Sequence, residues 1–357
     1  MMQEESFTVS PDGLSRLLAV REDSIEAATN RFYTNHGSLY EAFGARGRAA
    51  CKEDIGYHLE FIAAALEFGS IDVLVIYIRW LASVLRSRHI PDEHLALSLD
   101  YLVEAIGVRL SEADAAALAL VVAKAKSALF EDAAGATPYT AAMPCAWEEC
   151  DAFQEALVSG DRLKALEIFR QVITAGRGFV DTEMHLVQPT FYRIGEGWQA
   201  NKVSVAQEHV ATAIAHSILA REFAHAQPEP RVDRKVVLAC VEGNHHMLGL
   251  QMVADAFELQ GWEVRNIGAN TPTSALVRFV REDDPHLVGL SAAMPHHLPA
   301  ARGAIARLRS ELGEACPPLM LGGYAINQFE SLSTMLGADF TGADARAAAE
   351  TGSGIMG

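Results

Sequence analysis

Four short apolar segments in the last third of the chain constrain the fold more than any other feature of the sequence. They are KVVLAC (235–240), WEVRNIG (262–268), LVGLSA (287–292) and PLMLGG (318–323). Because they alternate with amphipathic segments of helical spacing, we predict a doubly wound parallel sheet, a Rossmann-like domain, over residues 234–345. A ligand in such a sheet lies at the carboxyl ends of the strands. Residues 343–357 are mostly small, and we expect a frayed tail there.

Helical patterns fill the chain before this point. Apolar residues recur at helical spacing through residues 1–135 and again through 147–225, where glycines separate about four helices. The segment between them, 131–146, is rich in Ala, Gly, Pro and Thr and has no period, which is typical of a linker. We therefore predict a multidomain α plus α/β protein, with a helical domain at 1–135, a four-helix bundle at 147–225 and the α/β domain at 234–345.

Charge and cysteine content narrow the class of protein. The chain has 29 Lys and Arg against 46 Asp and Glu, a formal net charge of -17. A surface this acidic repels phosphate backbones, so we expect no direct binding to nucleic acid. The five cysteines include no C-x-x-C pair, which favours reduced thiols in the cytoplasm. The most apolar segment, 71–85, is short and contains Asp72 and Arg79, so we predict a buried helix there and no membrane span.

The loop after the first predicted strand contains histidines just ahead of a helical segment. It reads Asn244-x-His246-x-x-Gly249, and the third and fourth strands end at Ser291 and at Gly322-Gly323. This pattern resembles the D-x-H-x-x-G pattern of cobalamin-binding domains. The resemblance implies that His246 ligates the cobalt of cobalamin in place of the cofactor's own base. It also implies that Ser291 and the paired glycines let the displaced nucleotide tail pass close to the backbone, and that Gly249 lets the helix start pack against that tail.

Position 244 departs from the resembling family, which usually has an acid there. An acid would accept a hydrogen bond from the second ring nitrogen of His246 and raise its basicity. We expect Asn244 to accept the same bond through its side-chain carbonyl, without the charge. We interpret His245 as solvent-facing or as a helix-start residue. We interpret His296 and His297 as loop or helix-start residues that share no metal.

The helical bundle carries a second pattern, Trp198 followed after nine residues by Glu208-His209. It resembles the helical cap of CarH-type cobalamin photoreceptors, which covers the upper face of the corrin. The resemblance implies that Trp198 leans on the upper axial group, and that Glu208 and His209 lie at the interface between cap and corrin. It implies adenosylcobalamin or methylcobalamin as the cofactor. Gln199 stands where the family can have a histidine that captures cobalt after photolysis, which favours water at that position.

These patterns predict a cobalamin-binding light sensor that regulates through protein–protein contact. Residues 1–135 would dimerise or dock an effector, so the expected partners are another protein or a second copy of the chain in a homo-oligomer. We interpret His58 in this domain as a core histidine and assign it no ligand.

Two other functions stay open. The main alternative is a corrinoid carrier of methyl groups, which would need His246 but not Trp198. A cobalamin-dependent isomerase component is less favoured, because the chain has no room for a substrate barrel. The sequence offers no nucleophile constellation or phosphate-binding loop, so an enzyme is the less favoured interpretation.

Overall fold

The structure is a computed structural model, and it describes residues 7–69, 71–130, 146–327 and 332–355. The chain forms two compact units, Met1–Tyr139 and Thr140–Gly357. The predicted linker lies outside the described residues except for its last position. Among the helices in these ranges, none is both long and apolar enough to cross a bilayer.

The first unit is built from helices. Those that the structure describes are α1 (Pro11–Ala19), α2 (Arg21–His36), α3 (Gly44–Phe68), α4 (Asp72–Arg86), α5 (Asp92–Gly107) and α6 (Glu112–Phe130). The side chain of Ser10 caps α1 and also bonds the carboxylate of Asp114 in the first turn of α6. These bonds tie the first helix of the unit to the last.

His58 lies in the core of this first unit, as predicted. It is 1% exposed, and its ring nitrogens bond the hydroxyls of Tyr77 and Ser98 at 2.8 and 3.1 Å. Burial lowers the pKa of the ring to about 3, so the histidine is neutral at physiological pH. Both ring nitrogens are engaged with protein groups, which supports a structural role.

The second unit begins with a helical bundle. Its helices are α7 (Cys150–Ser159), α8 (Arg162–Thr174), α9 (Phe179–Thr182), α10 (Gln188–Gln199) and α11 (Val205–Phe223). A π-helical turn, Glu183–Val187, joins α9 to α10 without a break, so these two elements form one long helix. Ser204 and Gln207 form a capping box that starts α11. The bundle therefore has four helices when α9 and α10 are counted as one, and α7 packs against the other three.

A parallel sheet follows the bundle. Its described strands are β1 (Lys235–Cys240), β2 (Glu263–Gly268), β3 (Leu287–Ser291), β4 (Leu319–Gly322) and β5 (Phe340–Gly342). The helices around it are α12 (Leu248–Leu259), α13 (Thr273–Asp283), α14 (Leu298–Leu312), α15 (Tyr324–Asn327), α16 (Leu332–Met335) and α17 (Ala345–Ile355). The strand order is β2-β1-β3-β4-β5 with every pairing parallel, which confirms the predicted Rossmann-like fold class.

The prediction of a frayed tail after residue 343 is wrong. The tail forms α17, which packs on α12 and β5 and buries Ala345, Ala348 and Ala349. Its small side chains are what allow this contact: a Cβ on Gly352 would lie 2.6 Å from the ring of Phe257 on α12. Small residues here permit close packing of two helices and do not mark disorder.

Candidate functional site

The loops after β1 and β3 meet where the strand order reverses. From β1 the chain continues to β2 on one side and then to β3 on the other, which makes the β1–β3 boundary the topological switch point. The strand ends are in register there, because Cys240 pairs with Ser291 and Ser291 pairs with Gly322. Three of the predicted site elements therefore share one edge of the sheet.

Asn244 is the buried centre of the β1–α12 loop and has no exposed surface. Its amide nitrogen Nδ2 donates to the backbone carbonyl of Ser291 at 2.8 Å. Its carbonyl oxygen Oδ1 accepts the backbone N–H of His246 at 3.0 Å. The bond expected between Oδ1 and the His246 ring is thus replaced by a backbone bond. A carboxylate could accept from His246 but could not donate to Ser291, so this arrangement requires the amide.

His246 is exposed at the end of this loop. The protein packed around it desolvates the ring and lowers its pKa, while the carboxylate of Glu208 acts in the opposite direction and His245 adds to the lowering. The ring is therefore neutral at pH 7, which is the form that ligates a metal. Glu208 lies in the first turn of α11, and its carboxylate is close enough to favour the protonated form of the His246 ring.

Backbone approaches backbone at the carboxyl end of β4. A Cβ on Gly322 would lie 2.6 Å from the carbonyl oxygen of Gly342. A Cβ on Gly323 would lie 2.5 Å from the carbonyl oxygen of Ala292, and Gly323 has a φ of +105°, which L side chains rarely adopt. Larger residues cannot occupy these two positions, and the strand end presents bare main chain beside Ser291.

The bundle residues singled out from the sequence lie around the turn between α10 and α11. Trp198 is half-buried in the last turn of α10 and packs against the core, with Gln199 next to it. Glu208 accepts the Thr212 hydroxyl at 2.8 Å and bonds Nδ1 of the exposed His209 at 2.5 Å. Of these residues, Glu208 is the one that the structure brings within electrostatic reach of His246.

Two features of this region were missed from the sequence. The rings of His246 and His297 are 6.2 Å apart, and those of His296 and His297 are 4.1 Å apart, so histidines from two loops gather at the switch point. His297 is the N-cap residue of α14, as predicted for a helix-start residue. It is buried, with 2% of its surface exposed. Adjacent loops bring these side chains together, and no local sequence pattern marks that.

The second missed feature is a carboxyl pair between the bundle and the α/β core. Glu183, in the π turn, has no exposed surface, and Asp255 on α12 is 2% exposed. Burial raises the pKa of Glu183 well above its ordinary value, and Asp255 adds to this; burial raises the pKa of Asp255 to about 6. Two buried carboxylates this close cannot both ionise cheaply, so we expect the pair to hold one proton between them.

Comparison with known proteins shows which cofactor the second unit binds. Residues 234–350 match a family described as a B12 binding domain, and residues 149–221 match a second family with the same description. The second unit is a cobalamin-binding module. Cobalamin is therefore the cofactor, as the loop pattern predicted.

The curated relatives of the cobalamin-binding module are of two kinds. The HTH-type transcriptional repressors CarA and CarH of Myxococcus xanthus are each 29% identical, over 39% and 42% of this chain. The matches span about half the length of these repressors, 47% and 50%. Dimethylamine corrinoid protein 1 of Methanosarcina acetivorans is also 29% identical, over 39% of this chain and 70% of its own length.

A solved structure has the same fold. The monomethylamine corrinoid protein of Methanosarcina barkeri superposes with a TM-score of 0.51 at 20% identity, over 58% of this chain and 99% of the other. At this identity the likeness establishes the fold of the module.

The residues of the switch point fit cobalamin on physical grounds. His246 offers a neutral and accessible imidazole, a good ligand for a cobalt ion. Gly322 and Gly323 leave main chain bare where a bulky tail has to pass. A Cβ on Gly249 would meet no heavy atom of the neighbouring described elements within 4 Å, so there is room beside the start of α12. His246 would hold the metal, and the strand ends would border the tail.

Proposed function

We propose that this protein is a cytoplasmic light sensor that binds adenosylcobalamin or methylcobalamin and signals through protein–protein contact. The observation that carries the proposal is that Glu208, from the pattern of Trp198 and Glu208-His209, interacts electrostatically with His246. The similarity to CarA and CarH supports it. In this proposal the first unit dimerises or docks an effector, because an acidic helical domain offers no DNA-reading surface.

In this proposal the residues of the sheet loops and those of the bundle have different roles. His246 fixes the metal from the side of the sheet, and Asn244 shapes its loop. Trp198 and Glu208, which lie on either side of the turn between α10 and α11, would contact the bound cofactor from the bundle. Bound cobalamin supplies a cobalt–carbon bond that visible light breaks.

Trp198 would register a change at the bound cofactor as a change in the packing of its indole, because an unfilled apolar space costs on the order of a few kcal/mol. The turn between α10 and α11 would be the segment that adjusts. An interface can read such a packing change.

A corrinoid carrier of methyl groups is the second candidate. The match to dimethylamine corrinoid protein 1 over 70% of that protein's length favours it. A carrier needs His246 and the glycine-lined strand end, but it does not need an indole at position 198.

Light separates these two functions. The full-length protein is loaded with adenosylcobalamin in the dark, and its absorbance and hydrodynamic size are recorded before and after blue-green illumination. A sensor changes both, and Trp198→Ala uncouples the size change from the spectral change. Trp147→Ala is the matched control, because Trp147 is another half-buried bundle indole, stacked on His185. An unchanged size in the wild type, or equal behaviour of both variants, favours the carrier.

Cobalt ligation has its own test. His246→Ala should remove the nitrogen splitting from the electron spin resonance spectrum of the cobalt(II) form, whereas His245→Ala, which removes an adjacent exposed imidazole, should preserve it. The test uses cobinamide, which lacks a nucleotide base, so that the protein alone can supply a nitrogen. Retention of the splitting in His246→Ala loaded with cobinamide would exclude His246 as the ligand.

A further inference from the structure

His297 is buried between the two loops of the switch point, and the proposed function assigns it no role. Its Nδ1 accepts the backbone N–H of Met294 at 3.1 Å, so the ring proton of the neutral imidazole is on Nε2. The ring also hydrogen-bonds the backbone of Gly243 in the β1–α12 loop, and it does so as a donor because this bond favours the protonated ring. One imidazole therefore links the β3–α14 loop to the β1–α12 loop.

Gly243 is the residue of the β1–α12 loop that His297 contacts. It has a φ of +84°, and its own N–H donates to Oδ1 of Asn270 at 2.8 Å. A Cβ on Gly243 would lie 4.0 Å from Cδ2 of His297, so the ring rests against the loop backbone. Three residues later the loop reaches His246. The part of the loop that sets the direction of His246 is thus held by Asn270 on one side and by His297 on the other.

The same two loops are joined a second time by Asn244, which donates to the carbonyl of Ser291. The His297 bond to Gly243 is independent of the Asn244 bond, because it comes from the far end of the β3–α14 loop. Two attachments at different points fix both the position and the tilt of a loop, where one attachment leaves a hinge. The ring of His297 lies 6.2 Å from that of His246, close enough for a small loop movement to change the place of the ligand.

We propose that His297 is a positioning residue for cobalt ligation. It holds the β1–α12 loop in place so that His246 lies where it binds the metal. The proposal rests on the proposed role of His246 as the ligand. Partners of metal ligands typically contribute about 10- to 100-fold to metal affinity when they are substituted. His297 acts one step further out, through the loop that carries the ligand.

Three variants of the full-length protein test this role. His297→Ala removes both bonds, His297→Asn keeps an acceptor near the position of Nδ1, and His297→Gln keeps a donor near the position of Nε2. His296→Ala is the matched control, because it removes the neighbouring imidazole of the same loop. Cobinamide, which has the corrin but lacks the nucleotide base, is the ligand for affinity, so that ligation by the protein is measured without the tail.

We expect His297→Ala to lower cobinamide affinity by about 10-fold or more and to reduce the fraction of cobalt(II) that shows nitrogen splitting. His297→Gln should retain more cobinamide affinity and a larger nitrogen-split fraction of cobalt(II) than His297→Asn. The reason is that the bond to Gly243 is the one that acts on the loop carrying His246. In the protein without cofactor, the amide of Gly243 should exchange faster in His297→Ala. His296→Ala should change affinity by less than about 3-fold.

A double-variant cycle separates positioning from general support of the fold. If His297 acts through His246, His297→Ala has little further effect on affinity in a His246→Ala background. Equal losses in both backgrounds, or full nitrogen splitting in His297→Ala, would overturn the proposal while His246 remained the ligand. Full splitting in His246→Ala alone would overturn the ligand assignment, and this inference with it.

Discussion

Replacing Asp255 with asparagine should stabilise the second unit at neutral pH. Asp255 and Glu183 are both buried, and we expect them to share a proton. Asparagine is almost isosteric with aspartate, and its Nδ2 is a permanent donor toward Glu183. Its Oδ1 can still accept from Gln251, whose Nε2 donates to Oδ1 of Asp255 at 2.7 Å. The substitution keeps the packing and removes one ionisable group.

The size of the effect follows from the pKa of Asp255. Folding raises it from the ordinary 3.8 to about 6, and one pKa unit corresponds to about 1.4 kcal/mol. Asp255 therefore costs the folded state up to about 3 kcal/mol at pH 7 and about half of that at pH 5. Because the folded protein binds the proton more tightly, the cost is absent below pH 4 and grows as the pH rises toward 6. Sharing with Glu183 divides the proton, so we expect a gain of about 1–3 kcal/mol at pH 7.

Urea unfolding of the cofactor-free protein measures this gain. Three of the four tryptophans, Trp147, Trp198 and Trp262, lie in the second unit, so their fluorescence follows its unfolding. The difference in free energy between Asp255→Asn and wild type should rise steadily from pH 4.5 to pH 7.5. Taking a difference cancels the titration of other groups, including the buried histidines.

Glu258→Gln is the control, because Glu258 is exposed on the same helix and raises the pKa of Asp255 only through its charge. It should change stability by less than about 0.5 kcal/mol. A gain for Asp255→Asn that does not vary with pH, or a loss of stability at pH 7.5, would refute the shared proton.

Three further predictions concern single positions. Gly323→Ala places a methyl group against the carbonyl of Ala292 in a strained conformation; calorimetry should show a loss of about 1–3 kcal/mol, and titration a weaker affinity for cobalamin. Unchanged affinity would show that the β4 end does not border the cofactor. Asn244→Asp removes the donor to Ser291, which is one of the two attachments of the loop that carries His246, so it should destabilise the cofactor-free protein by about 1–3 kcal/mol and lower the nitrogen-ligated fraction of cobalt(II); unchanged stability and ligation would contradict the role given to the amide. His58→Leu should destabilise the first unit by about 1–3 kcal/mol with no change in cobalamin affinity, and an affinity change would mean that the units communicate through this core.

The fold class could be predicted because periodicity is local. The change from helical spacing to short apolar strands at residue 234 is visible within a window of a few residues. The observed bundle ends before this point and the observed sheet begins after it. β5 was missed because it has only three residues, and α17 because its alanines and glycines carry little hydrophobic signal. In both cases the packing partner, and not the segment itself, determines the structure.

The site was partly predictable for the same reason. Strand-end positions such as His246, Ser291 and Gly322 stand at fixed places in a repeating pattern, so their convergence follows from the fold. The Asn244–Ser291 bond, the interaction of His297 with Gly243 and the Glu183–Asp255 pair each join residues far apart in the chain. Only the three-dimensional arrangement shows which atoms these side chains reach, and for Asn244 it replaced the expected partner with another.

The π turn within the long helix of the bundle has a consequence for sequence length. An α-helix advances about 100° per residue, and a π turn accommodates one extra residue without ending the helix. Deleting a single residue from Glu183–Val187 would convert this turn to regular α-helix, and because the π turn already absorbs that extra residue, α10 would keep nearly its present orientation. Deleting one residue from α10 ahead of Trp198 would instead rotate the indole by about 100° around the helix axis. The direction of Trp198 therefore depends on where along this long helix a residue is lost.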